Sequence, residues 1–181
     1  FRPPTGRNSL ADQLQIVARV IAARATLGVK RQVFMVSLGG FDTHDSQMSK
    51  HPALMGQLDF ALDAFYRATV ELGVANGVTT FTASDFGRTL ASNGDGSDHG
   101  WGAHHLVVGG AVNGGRFYGR MPQLQNGSPE DVGWGQIIPT TSVDQYAATL
   151  ARCFGVADSE LNLILPNLAN FEQRNLGFMK G

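Results

Sequence analysis

Short apolar runs that end in glycine or a small polar residue alternate with amphipathic stretches long enough for helices, and this alternation limits the fold most. Gln32–Leu38 is rich in branched and aromatic residues and stops at Gly39-Gly40, the pattern of a strand buried on both faces. Val78–Ala83 is a second such run, and Leu106–Val108 with Ala111 and Val112 makes a third. Leu10, Leu14, Val17 and Ile21 recur at helical spacing between Ser9 and Gly28, and Ser9 with Asp12 resembles a capping box. Leu54, Leu58, Leu62, Phe65 and Leu72 form a stripe from Pro52 to Gly73. Ser142 and Gln145 form a capping box ahead of Val143, Tyr146, Leu150 and Phe154, with Gly155 as the stop. Glu160–Leu165 reads as a short helix ended by Pro166. Strands separated by helices imply right-handed crossovers onto a mostly parallel sheet. The expected fold is therefore α/β, with strands near 33–38, 78–83 and 105–109 side by side, the first two helices packed on them, and Leu54, Leu58 and Leu62 buried.

A length of 181 residues suits one domain spanning 1–181. With 43% hydrophobic and 16% charged residues the chain is globular, and a formal charge of -1 without a basic cluster argues against nucleic-acid or anionic-membrane partners. The single cysteine, Cys153, excludes an intrachain disulfide and any multi-cysteine metal site. Its place on the apolar stripe of the last long helix reads as buried packing. No apolar stretch reaches the roughly 18 residues of a membrane span, because Arg19 and Arg24 interrupt the best candidate. The opening Phe1-Arg2-Pro3-Pro4 has neither an initiator Met nor a signal-peptide layout, as expected of a processed product or the later part of a longer protein.

Ten of the 23 glycines fall between Gly87 and Gly119, interleaved with His, Asp and Trp, which marks a folded loop region and not a linker. All five histidines lie between His44 and His105. In an open α/β sheet, ligands bind beyond the carboxyl ends of the strands, where Asp42 and His44 follow the first run and Asp85 the second. Asp98, His99, His104 and His105 follow in the glycine-rich excursion, which has the freedom to fold back over the same edge. Carboxylate oxygen and neutral imidazole nitrogen together are a ligand set for Zn²⁺ or another first-row divalent ion. Each residue taken singly also suits a turn or a cap, as Ser84-Asp85 would. Arg88 suits bidentate contact with a phosphate or sulfate, or an ion pair with Asp85. Asn93-Gly94-Asp95-Gly96-Ser97-Asp98 has the look of a calcium loop but lacks its closing acid. Trp101 and Trp134 receive no role. No G-x-S-x-G elbow, Walker A sequence or dinucleotide fingerprint occurs.

Gly39-Gly40-Phe41-Asp42-Thr43-His44, Ser84-Asp85-Phe86-Gly87-Arg88-Thr89, Asp98-His99-Gly100-Trp101-Gly102 with Gly109-Gly110, and Ile138-Pro139-Thr140-Thr141-Ser142 occur in that order. This ordered set resembles the uncharacterised DUF1501 family over nearly the whole chain. The resemblance implies kinship with the alkaline phosphatase and sulfatase superfamily, export through a twin-arginine signal to the periplasm or outside, and a three-layer α/β/α sandwich. Its strand ends would hold one or two divalent metals, Zn first, Mn or Ca next. The ligands implied are Asp42 with His44, Asp85, and His99 or His104. Phe86 stands where the superfamily has a metal-binding His, so the second metal site would be incomplete, and the nucleophile would lie on an earlier strand. The chain then reads as the later, C-terminal portion of a larger domain. Its expected activity is metal-dependent hydrolysis of small phosphate or sulfate esters, with Arg88 holding the anion. The alternative is a non-catalytic exported binding module. A missing N-terminal part would leave an apolar sheet edge or face exposed, open to that part or to self-association.

Overall fold

The computed structural model describes residues 7–180, so the opening Phe1–Pro4 lies outside the described residues. The chain forms two compact units. One takes the residues up to Thr82 with Ser92–Asp98 and Leu106–Gly110; the other takes Ala83–Ala91, His99–His105 and the residues from Ala111 on.

The first unit is built on two helices, α1 (Ser9–Ala22) and α3 (Gln47–Glu71), with a single further turn, α2 (Arg24–Leu27), closed by Gly28 at φ 66°. The helix start lies one residue earlier than the spacing of Ser9 and Asp12 suggests: the Asn8 side chain accepts from the Ala11 amide at 3.0 Å and donates to the Gln57 carbonyl at 2.8 Å. One residue thus caps α1 and ties it to α3. Leu10, Ala11, Leu14, Val17, Ala18 and Ile21 meet Ala61 and Phe65 in the core, with Val36, Leu38 and Leu58 packed against them. Each fully buried large aliphatic or aromatic side chain contributes about 1.5–3 kcal/mol, which is why these two faces find each other. α3 begins five residues ahead of Pro52 and carries it inside the helix. Leu62 is buried as expected, whereas Leu54 and Leu58 are only half-buried.

The expected parallel sandwich is not formed. β1 (Thr79–Phe81) pairs antiparallel with β4 (Val107–Gly109), in the register Thr79 to Gly109 and Phe81 to Val107. β2 (Gly87–Ser92) pairs with β3 (Ser97–Gly100) as a separate two-stranded hairpin. The physical reason lies between β1 and β4. A parallel connection needs a crossover of a dozen or more residues, usually helical, but this stretch is glycine-rich and folds into a hairpin of its own. The first expected strand, 33–38, joins no ladder among the described residues.

The second unit centres on α4 (Val143–Phe154), with the full capping box between Ser142 and Gln145 and Gly155 at φ 103°. α5 (Leu161–Ile164) follows a 3₁₀ turn, and Ala148, Leu161 and Leu168 form the core. Pro166 ends α5 as expected and opens a further 3₁₀ turn to Asn170. Cys153 is exposed rather than buried. The buried positions of α4 are Gln145, Ala148 and Thr149, so a largely polar face turns inward while Val143 and Phe154 stay exposed.

Candidate functional site

Beyond Leu38 the chain turns at Gly40, whose φ of 98° is a left-handed conformation that favours glycine. Asp42, Thr43 and His44 follow, with Thr43 fully buried and its amide bonded to the Phe41 carbonyl at 2.9 Å. Ser46, at φ 54°, then bends the chain into α3. This turn is clamped by the β2–β3 hairpin tip. The Gln47 amide donates to the Asp95 carbonyl at 3.0 Å and the Ser97 hydroxyl to Gln47 Oε1 at 2.8 Å. Gly96 lies so close to the carbonyls of Thr43 and His44 that a Cβ there would overlap them.

The clamp brings Asp98 to His44. His44 Nδ1 lies 3.1 Å from Asp98 Oδ1, and Nε2 lies 2.9 Å from Asp42 Oδ1. The Asn93 side-chain amide donates to the same Asp98 oxygen at 3.1 Å. A neutral imidazole has one N–H and one lone pair. With a carboxylate oxygen at each nitrogen, one contact is bonded and the other sets lone pair against lone pair, unless a second proton or a cation supplies positive charge. The donors on the Nε2 side, one carboxylate and one imidazole nitrogen, are of the types that a hard-to-borderline divalent ion takes. An Asp on the far ring nitrogen is also how proteins orient a metal-binding histidine. The residues fit such an ion.

Of the expected site residues, Asp42 and His44 are brought together here, and Asp85, Arg88, His99 and His104 stand in the second unit. There Ser84 closes a local turn by donating to the Phe86 carbonyl at 2.9 Å, and Asp85 is exposed. The Phe86 and His99 rings stack with centroids 4.0 Å apart and an interplanar angle of 4°, and the Arg88 guanidinium carbon lies 5.2 Å from the Phe86 centroid. Arg88 is thus placed for a cation–π contact. Gln136 donates to the His99 carbonyl at 3.2 Å and accepts from the Trp101 indole at 3.2 Å, fixing both elements. His104 is exposed, while His105 stacks with Tyr146 at 5.8 Å. Burial, and then the charge of His104, hold His105 below its ordinary value of 6.5, and burial pushes the Tyr146 phenol up to about 12. Asp98 carried a sequence signal, an acid in the glycine-rich stretch, but nothing in the spacing selected it over its neighbours.

A family model described as a protein of unknown function, DUF1501, matches residues 2–161. No curated protein and no solved structure matches the chain.

Proposed function

The chain belongs to the DUF1501 family of proteins of unknown function, and from that premise we propose that it is a metal-dependent hydrolase of phosphate or sulfate esters. The observation that carries the proposal is His44 held between the carboxylates of Asp42 and Asp98, at 2.9 and 3.1 Å. Asp42 and His44 Nε2 would hold the ion, and Asp98, itself held by Asn93, would orient the imidazole through Nδ1. Zn²⁺ suits the imidazole best, with Mn²⁺ or Ca²⁺ as alternatives. When bound, the ion supplies Lewis-acid polarisation of an ester oxygen and activation of water. Asp85, His99 and His104 keep the ligand role that the family resemblance implies, and Arg88 that of anion contact. Export to the periplasm or beyond belongs to the same proposal, and fractionation of the producing cells with detection of the protein in each fraction tests it.

Phe86, flat against His99 where the resemblance implies a further metal-binding histidine, favours a second reading, a binding module without catalysis. Titration calorimetry with Zn²⁺, Mn²⁺ and Ca²⁺, together with turnover of aryl phosphates and aryl sulfates, separates the two. Stoichiometric uptake with turnover, both lost in Asp42→Ala and His44→Ala, supports the hydrolase. Uptake without turnover leaves the binding module, and no uptake of any of the three ions removes the metal centre.

A further inference from the structure

A cavity of about 350 Å³ lies between α3 and β4, both within the first unit. Met55, Leu58, Leu62 and Tyr66 reach it from α3 at three- to four-residue spacing, which puts them on one stripe of the helix. Leu106, Val107 and Val108 supply the strand side. Met55, Tyr66 and Leu106 are 40%, 36% and 44% exposed, so large nonpolar groups around the cavity stay open to water. Covering them is favourable. The volume falls within the range of about 300–1,000 Å³ that small molecules occupy. Nine residues line it, whereas a stable protein interface takes about 20–30 a side.

Charge selects the ligand. Asp59 and Asp63 also line the cavity, one helical turn apart. Asp63 is paired with Arg67 at 2.8 Å, while the Asp59 carboxylate and the Tyr66 hydroxyl have no partner among the described residues. A purely apolar guest would strip water from Asp59 and put nothing in its place. An anion would meet a like charge. A quaternary ammonium has no N–H for the Tyr66 oxygen and is held best by several ring faces, where this lining has one. A primary ammonium has three donors, enough for the carboxylate, the hydroxyl oxygen and a water. We propose that this cavity binds a small primary amine with an aromatic or branched apolar body, its ammonium on Asp59 and Tyr66 and its body against Met55, Leu62 and the β4 valines. None of these residues belongs to the metal centre, so the two sites stand or fall separately.

A nuclear magnetic resonance titration of the backbone amides with phenethylamine, at neutral pH and without added metal, tests it. Phenethyl alcohol and hydrocinnamate serve as neutral and anionic probes with the same apolar body. The amine should shift the amides of Leu62, Tyr66, Val107 and Val108 saturably, and the alcohol and the acid should bind at least about tenfold more weakly. Asp59→Asn, at an exposed helix position, should bring the amine down to the alcohol's affinity and leave the alcohol unchanged, a split that a damaged fold would not produce. Added salt should weaken the amine alone, because only its contact is ionic. Absence of any saturable shift with the amine overturns the proposal. So does an alcohol or acid that binds as tightly as the amine, or amine binding that Asp59→Asn leaves intact.

Discussion

Gly96 shows how much of the candidate site rests on a missing side chain. Its constraint is space, since the carbonyls of Thr43 and His44 fill the volume a Cβ needs. Gly96→Ala should cost about 1–3 kcal/mol by thermal or denaturant unfolding. On the proposed function it should also weaken metal uptake, because the hairpin that carries Asp98 must back away from His44. Asp131 supplies a second test at this scale. Amides of Gly127, Gly133 and Gly135 donate to its carboxylate at 2.8, 2.9 and 3.0 Å and hold its carboxyl below the ordinary 3.8. The unfolded chain takes up that proton more readily, so the stabilisation is whole above 3.8 and is lost as pH falls below it. Asp131→Asn should flatten that acid limb of a melting-temperature profile. His105, also held low, takes up its proton in the unfolded chain first, so stability falls as pH drops below 6.5, and His105→Phe should remove that slope. Asp42 and His44 were legible in the sequence because they stand two apart after an apolar run. Their link to Asp98 was not, since the pair His44–Asp98 is 54 positions apart and is made by hairpin geometry.

At the scale of elements, local signals carried the helices and failed for the sheets. Ser142 and Gln145 cap α4 where the spacing placed them. Ser142→Ala should remove about 1 kcal/mol, read as a lower unfolding midpoint with little change in denaturant slope. The face that α4 buries was not legible from its apolar stripe. Gln145 donates to the Gln173 carbonyl at 2.7 Å, and Thr149 accepts from the Leu176 amide at 2.9 Å, so hydrogen bonds to the C-terminal segment decide which side turns in. This also explains the exposed Cys153. The strands were placed near their observed positions at 79–81 and 107–109, but their direction depends on the connection between them. The glycine-rich connection offers no helix for a parallel return, so the ladder closes antiparallel.

For the whole molecule, the two cores differ in size. Eight buried residues make up the α1–α3 cluster, and three make up the cluster around α4 and α5. The slowest amide exchange should therefore fall in α1 and α3, and exchange in the short strands should be much faster, as mass spectrometry after deuterium labelling would read. Phe65→Ala should cost about 3–5 kcal/mol and raise exchange throughout that helix pair. The chain also passes between the units after Thr82, Ala91, Asp98, His105 and Gly110. On the ribosome this imposes a timetable. α1 and α3 can close as soon as the first helical hairpin has emerged, whereas β1 must wait some 25 residues for β4, because Phe81 faces Val107. A nascent chain paused between those points would carry a formed helical pair and an open strand, which is the species a chaperone would meet.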